Sequence, residues 1–165
     1  MASGDTLVVF TALNNEPPSS DYATVDTRNG HVVLDFDDGS DNESAIFSGV
    51  MPQHYAGTTG VTVYLHYSMT SATSGTVDWD VSFERIGDGQ QDIDSDSFAA
   101  ANSVDDTTVP GTSGHVDVVS VAFTNGADMD SVAKGESFRV KVTRDSASDD
   151  ASGDAELYKI ELRET

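Results

Sequence analysis

A strict alternation of apolar and polar side chains is the feature of this sequence that most restricts its fold. Residues 62–69 and most of residues 76–86 show it, with an apolar side chain at every second position. Successive side chains of a β-strand point to opposite faces of a sheet, so each segment is predicted to be a strand with one buried face. No stretch of the chain repeats apolar residues at the spacing of a helix.

The same pattern recurs along the chain and predicts an all-β protein. Further strand candidates are residues 6–10, 31–36, 45–50, 116–123, 138–143 and 157–162. Short strands joined by turns rich in Gly, Ser, Asp and Asn are typical of jelly rolls and related sandwiches. We therefore predict an antiparallel β-sandwich, jelly-roll-like, of about eight strands.

The phase of the alternation predicts how particular strands pack. The small polar link at residues 70–75 predicts that the strands on either side of it form a hairpin. Trp79 is in phase with the apolar side chains of its strand, which places it in the core, and Tyr158 shares a face with Ile160 in the same way. The more continuously apolar residues 116–123 are expected to form a central strand covered on both faces, or a bulged one.

The chain is expected to form one domain, residues 1–165, because no linker and no internal repeat interrupts the pattern. An extended N-terminal arm is predicted at about residues 11–20, where Pro17 and Pro18 favour polyproline geometry. Residues 125–134 are expected to hold a helical turn that ends at Gly135.

Acidic residues dominate the charge and argue against several classes of partner. The chain has 29 Asp and Glu against 8 Lys and Arg, a net charge of −21 and an isoelectric point of about 4.1. Nucleic acid and anionic lipid are bound mainly through Lys and Arg, so neither is an expected partner. No apolar run is long enough to cross a membrane, and the first residues do not have the pattern of a secretion signal.

No residue is predicted to be catalytic, to bind a cofactor or to ligate a metal. The absence of cysteine excludes disulfides, thiolate metal sites and a cysteine nucleophile. Asp92, Asp94 and Asp96 have the spacing with which a calcium loop begins, but Ser97 and Ser103 stand where its glycine and glutamate belong, so a solvated turn is favoured. The histidines do not have ligand spacing, and the chain has no nucleophile elbow.

The aromatic residues leave a carbohydrate-binding role open. Tyr64 points away from the predicted core and is a better surface aromatic than Trp79. An exposed tyrosine can stack on a sugar or join a partner interface, so a carbohydrate-binding β-sandwich, with or without calcium, is one interpretation. A hydrolase with two catalytic carboxylates carries the least weight, because some pair of acids is always found in so acidic a chain.

Several short stretches are distinctive in their exact amino acids as well as in their apolar and polar pattern. They are MASGDTL at residues 1–7, NNEPP at 14–18, YATVDTRN at 22–29, VLDFDD at 33–38, FERI at 83–86, GDAEL at 153–157 and LRET at 162–165. Together they resemble small proteins of tailed-phage genomes and environmental viral sequences, and the resemblance spans nearly the whole chain.

The resemblance implies a non-enzymatic virion protein, namely a head decoration (cement) protein with a jelly-roll fold. Such a protein is expected to bind the major capsid protein as a homo-oligomer, with a trimer favoured. Its implied location is the capsid surface of the virion, after assembly in the host cytoplasm. A tail- or fibre-associated protein is the neighbouring interpretation, and the resemblance implies no functional residues.

Overall fold

The alternating segments form a two-layered antiparallel β-sandwich in the computed structural model of the protein. The structure describes residues 4–89 and 91–165. The first residues of the phage-protein resemblance, 1–3, and Gln90 of the acidic loop therefore lie outside the described residues. The described residues form ten strands and two short turns of 3₁₀-helix, which confirms the predicted all-β sandwich. No described helix is long and apolar enough to span a membrane.

The strands are β1 (Thr6–Thr11), β2 (Thr24–Arg28), β3 (His31–Phe36), β4 (Ser44–Val50), β5 (Gly60–Met69), β6 (Thr76–Ile86), β7 (Asn102–Thr108), β8 (Asp117–Thr124), β9 (Ser137–Arg144) and β10 (Ala155–Glu164). A six-stranded sheet has the order β2-β3-β10-β5-β8, and β1 also pairs with β10. A four-stranded sheet has the order β4-β9-β6-β7. All of these pairings are antiparallel.

The inward faces of the two sheets form one core. Trp79 of β6 lies in it and is fully buried, as its phase predicts. Its ring centroid is 5.2 Å from that of Phe36 on β3 and 5.3 Å from that of Tyr67 on β5, with both pairs edge-on. These contacts hold the sheets together, because Trp79 belongs to the four-stranded sheet and its two partners belong to the six-stranded sheet.

The predicted hairpin between β5 and β6 is wrong. The two strands belong to different sheets, so the polar link at residues 70–75 crosses from one layer to the other. Each strand buries a complete apolar face, and the two faces meet across the core, as the contact of Tyr67 with Trp79 shows. Alternation identifies which face of a strand is buried, but it does not identify the neighbouring strand.

Two strands were missed, since the described residues form ten strands where the sequence predicted about eight. The missed strands are β2 and β7, whose sequences TVDTR and NSVDDTT have little apolar alternation. Both lie at sheet edges, where a strand buries little side-chain area. β8 is also an edge strand and not the expected central one, and its Val118 is 47% exposed.

The predicted helical turn before β9 is present but shorter than expected. It spans Ala127–Met129 and ends at Asp130, which adopts the left-handed conformation with φ of 53°. Gly135 is therefore not its cap. An aspartate tolerates left-handed backbone because its short side chain hydrogen-bonds locally.

The residues that follow β1 connect the two sheets at one edge. After the 3₁₀ turn Ala12–Asn14, Asn15 forms an isolated bridge with Phe47 of β4, and the Glu16 N–H donates to the Ile46 carbonyl at 2.7 Å. β1 belongs to the six-stranded sheet, whereas β4 is an edge of the four-stranded sheet. This part of residues 11–20 therefore lies against the β4 edge of the same chain.

The outer face of the four-stranded sheet is partly covered by the loop between β6 and β7. The Phe98 ring centroid lies 5.0 Å from the guanidinium carbon of Arg139 and 4.9 Å from Nζ of Lys141. Ser82 and Glu84 of β6 point outward, yet they are only 2% and 3% exposed. We call this surface the covered face.

Candidate functional site

The outer face of the six-stranded sheet, by contrast, contains an open cavity of about 400 Å³. Val33 of β3 and Ser68 of β5 form its floor, and both are buried. Its walls include Arg28, His31, Val116 and Tyr158. Pockets that bind small ligands have volumes of about 300–1,000 Å³ and a mainly apolar lining with a few polar groups, so the cavity has the size of a binding site.

A second cavity of about 280 Å³ adjoins the first, because Tyr158 and His31 line both. It extends past Leu13 and Lys159. We call the two cavities together the Tyr158 groove. The first cavity is lined by residues from Arg28 and Asn29 at the end of β2 to Val116 just before β8, and the second continues it past Tyr158 to the residues that follow β1.

A β-bulge in β10 places Tyr158 in this groove. The register with β5 shifts between Leu157 and Lys159, while Leu157 and Ile160 both remain buried in the core. The extra residue leaves Tyr158 and Lys159 next to each other on the outer face. The predicted phase, which gave Tyr158 the same face as Ile160, is therefore wrong. The only hint in the sequence is that the apolar residues at 157, 160 and 162 break the period of two.

Arg28 forms a fixed wall of the groove. Its guanidinium makes an ion pair with Glu156 of β10, and Nη1 donates to the Met69 carbonyl of β5 at 2.8 Å. Gly114 packs directly against it, because a Cβ at that position would lie 2.9 Å from Arg28 Nη2. Contacts with two other strands and with the loop before β8 therefore set the position of this side chain before any ligand binds.

His66 of β5 packs against Tyr158, with the ring centroids 5.9 Å apart and the planes 71° apart. Burial lowers the pKa of His66, and Glu161, whose Oε2 lies 3.9 Å from Nε2, acts in the opposite direction. A hydrogen bond from Arg163 holds the pKa of Glu161 below its usual range. At neutral pH His66 is therefore an uncharged ring that can both donate and accept a hydrogen bond beside Tyr158.

Tyr64 lies on the outer face, as the alternation predicts, but its ring is already in use. The guanidinium carbon of Arg163 lies 4.1 Å from the Tyr64 ring centroid, a cation–π contact that covers one face of the ring. Trp79, the other aromatic that the sequence raised as a sugar platform, is fully buried. Tyr158 also has a cation over its ring, since Lys159 Nζ lies 5.7 Å from the ring centroid. Of these three aromatic side chains, it is Tyr158 that lines the groove.

A group of carboxylates lies beside the groove on β3 and its neighbours. Burial raises the pKa of Asp35 to about 6, and repulsion from Glu156, Asp26 and Asp154 adds to the effect. Oδ1 of Asp35 is buried and has no hydrogen-bond partner in the described part of the chain. The charge on this side of the sheet therefore changes in the mildly acidic range.

The acidic segment at residues 92–96 forms a turn. The N–H groups of Ser95 and Asp96 donate to the Asp92 carbonyl at 2.9 and 2.8 Å, and the Asp94 N–H donates to Asp92 Oδ1 at 3.1 Å. Across residues 4–89 and 91–165, no three His, Asp or Glu side chains are grouped so that they could hold a metal ion.

Comparison with known proteins identifies a fold and not a family. No protein-family profile matches the chain, and no curated protein matches its sequence.

Several solved structures, however, have a similar fold. A family 35 carbohydrate binding module from an environmental isolate superimposes with a TM-score of 0.55 at 13% identity, over 94% of this chain and 92% of that one. The C-terminal CBM6 of LamC, a marine laminarinase from Zobellia galactanivorans, gives 0.52 at 10% identity, over 95% and 98%. The xylan-binding module CBM15 gives 0.51 at 9% identity, over 96% and 97%. At these identities the likeness shows the fold alone, a jelly-roll β-sandwich.

Proposed function

We propose that the protein binds carbohydrate, without cleaving it, in the Tyr158 groove. The observation that carries this proposal is the partly exposed ring of Tyr158 between two open cavities. A sugar ring has apolar C–H faces that pack on an aromatic ring and a rim of hydroxyl groups that need hydrogen-bond partners. Asn29 and His31 line the groove and supply such partners.

The fold supports this proposal. The solved structures named above are carbohydrate-binding modules, and each is matched over at least nine-tenths of its length. A fold alone does not fix a function, because unrelated sites are built on the same sandwich. The geometry of the groove is therefore the stronger support, and it is independent of the likeness.

Binding without hydrolysis is expected because no carboxylate in the described part of the chain lines the groove. Glycosidases place two carboxyl groups about 5–9.5 Å apart on either side of the bond that they cleave. Glu156 is paired with Arg28, and Glu161 is paired with Arg163. Neither glutamate lines the two cavities of the groove.

The decoration-protein role implied by the sequence resemblance stays a prediction. No feature of the described residues identifies a surface for the major capsid protein or for trimer formation. The carbohydrate-binding interpretation therefore carries the greater support.

The test is a binding comparison of Tyr158→Ala with Tyr22→Ala. Tyr22 is 47% exposed and lies before β2, so it is a matched control for the loss of a surface tyrosine. Each variant is titrated calorimetrically against soluble polysaccharides, after circular dichroism has established that it is folded. Tyr158→Ala is expected to lose affinity by about tenfold or more, as for the central aromatic of a binding site. Tyr22→Ala is expected to bind as the parent protein does.

Two results would overturn the proposal. One is a folded parent protein that binds no polysaccharide in a panel of β-glucans, xylans, mannans, galactans and polyuronates. The other is a folded Tyr158→Ala variant that keeps full affinity.

A further inference from the structure

The charge around the Tyr158 groove differs from the charge of the chain as a whole. The sequence carries 29 acidic and 8 basic residues. Nevertheless, the charged side chains that line the two cavities are Arg28 and Lys159, and no carboxylate in the described part of the chain lines either cavity. A groove with the opposite sign to its surroundings suits a ligand that carries negative charge.

The two glutamates nearest to the groove are each paired with an arginine. Glu156 is paired with Arg28 and also accepts a hydrogen bond from the Ser68 hydroxyl at 3.1 Å. Glu161 is paired with Arg163 and accepts a hydrogen bond from Thr6. Burial raises the pKa of the neighbouring Asp35 to about 6, so this carboxyl is still mainly ionised at neutral pH. Because Glu156 balances the charge of Arg28, the unbalanced positive charge in the groove is that of Lys159.

Lys159 is the cation that is free to meet a ligand. It is exposed, and within residues 4–89 and 91–165 it takes part in no ion pair. Its Nζ lies 5.7 Å from the Tyr158 ring centroid, because the bulge leaves both side chains on one face. A sugar stacked on that ring would hold its ring substituents within reach of the ammonium group.

We propose that the groove selects an anionic glycan, a pyranose that carries a carboxylate or a sulfate group. The sugar ring packs on Tyr158, and its acidic group pairs with Lys159. This inference rests on the proposed function, since it names the class of carbohydrate that the same groove takes.

The net charge of −21 does not oppose this pairing at physiological salt. Interactions between exposed charges are screened beyond about 8 Å at about 0.15 M ionic strength. The contact of an acidic group with Lys159 is shorter than that distance, so it is screened less than interactions with distant carboxylates. Local charge therefore decides which ligand is preferred.

The experiment compares the parent protein with Lys159→Gln and Lys134→Gln. Lys134 is exposed and lies in the loop before β9, so its substitution removes the same charge away from the groove. Each protein is titrated at about 0.15 M salt with three ligands: an oligogalacturonate, the same oligosaccharide with its carboxyl groups reduced to alcohols, and a sulfated galactan oligosaccharide.

The parent protein is expected to bind an acidic ligand about three- to fivefold more tightly than the reduced one, the range for an exposed ion pair. Lys159→Gln is expected to lose this preference, and Lys134→Gln is expected to keep it. An equal gain with both acidic ligands supports recognition of charge, and a gain with only one of them supports the proposal with that acidic group as the ligand.

Two outcomes overturn the inference. One is a parent protein that binds the reduced ligand at least as tightly as the acidic ones, and the other is a Lys159→Gln variant that keeps the full preference. If neutral glycans still bind and Tyr158→Ala abolishes that binding, the proposed function stands and only the choice of ligand fails. If no glycan of either kind binds, both proposals fail.

Discussion

The two outer faces of the sandwich are built from strands with the same alternation, yet they have become different kinds of surface. On the covered face, the loop before β7 lays Phe98 against Arg139 and Lys141. On the six-stranded sheet, Lys159 Nζ lies 5.7 Å from the Tyr158 ring centroid, and Tyr158 lines two open cavities. Both faces therefore place an aromatic ring beside a cation, and the ring of Tyr158 borders open space.

The difference shows where a binding site can arise on such a fold. A sheet face that is covered by its own loop buries outward polar groups. Glu84 is paired there with Arg139, whereas Ser82 Oγ has no hydrogen-bond partner in the described part of the chain. A face left open leaves its aromatic and polar groups accessible. Substitution of equivalent residues on the two faces separates their roles.

The largest expected effect is the loss of an ion pair on the covered face. Glu84 is 3% exposed and is paired with Arg139, so Arg139→Met leaves a buried carboxylate without its partner. The free energy of unfolding is expected to fall by about 2–3 kcal/mol. Arg163→Met, the equivalent change on the open face, is expected to cost about 1 kcal/mol or less, because that pair is more exposed. Urea unfolding at pH 7 measures both, and equal losses would contradict the comparison.

The next largest effects are expected from replacing one aromatic ring on each face and measuring both stability and binding. Phe98→Ala removes a half-buried ring and two cation–π contacts, so we expect a loss of about 1–2 kcal/mol in unfolding free energy and unchanged glycan affinity. Tyr158→Ala is expected to do the reverse, with little change in stability and a loss of binding. Thermal unfolding and calorimetric titration of the same samples check both halves, and a binding defect in Phe98→Ala would refute the assignment of roles.

The smallest effect concerns pH. The folded-state pKa of Asp35 is raised from 3.8 to about 6, so between these values the folded protein binds more protons than the unfolded chain. This group therefore makes stability fall as pH rises through about 6. Asp35→Asn removes the buried charge and is expected to stabilise the protein at pH 7 by about 1 kcal/mol, allowing for partial exposure.

The gain from Asp35→Asn is expected to disappear near pH 4, where the parent carboxyl is also neutral in the folded state. Urea unfolding of the parent and the variant at both pH values is the measurement. A constant difference across this range would show that Asp35 does not titrate as its surroundings require.

The sequence predicted the core better than the site, for physical reasons that particular residues make clear. Trp79 was placed correctly because burial of a whole apolar face leaves a pattern with a period of two. β2 and β7 were missed because edge strands bury too little side-chain area to leave that pattern. The pairing of β5 and β6 was predicted wrongly because alternation is the same for two strands in one sheet and for two strands that face each other.

The groove could not be predicted because its main residue depends on a bulge. Tyr158 follows the alternation of its neighbours in the sequence, and only the register of β10 against β5 shows that it lies outside the core. The contact between Arg28 and Gly114 could not be predicted from the sequence either. The two residues are far apart along the chain and meet only where β2 and the loop before β8 converge. A site assembled from several strands leaves no continuous motif.

The bulge in β10 also bears on how such a surface can change during evolution. One extra residue in the strand separates Leu157 from Ile160 while both stay in the core. Insertion or deletion of a single codon at this point would therefore add or remove a ring on the outside and leave the interior packing in place. Because the core side chains keep their positions, the side chains on the outer face can change here with little loss of stability.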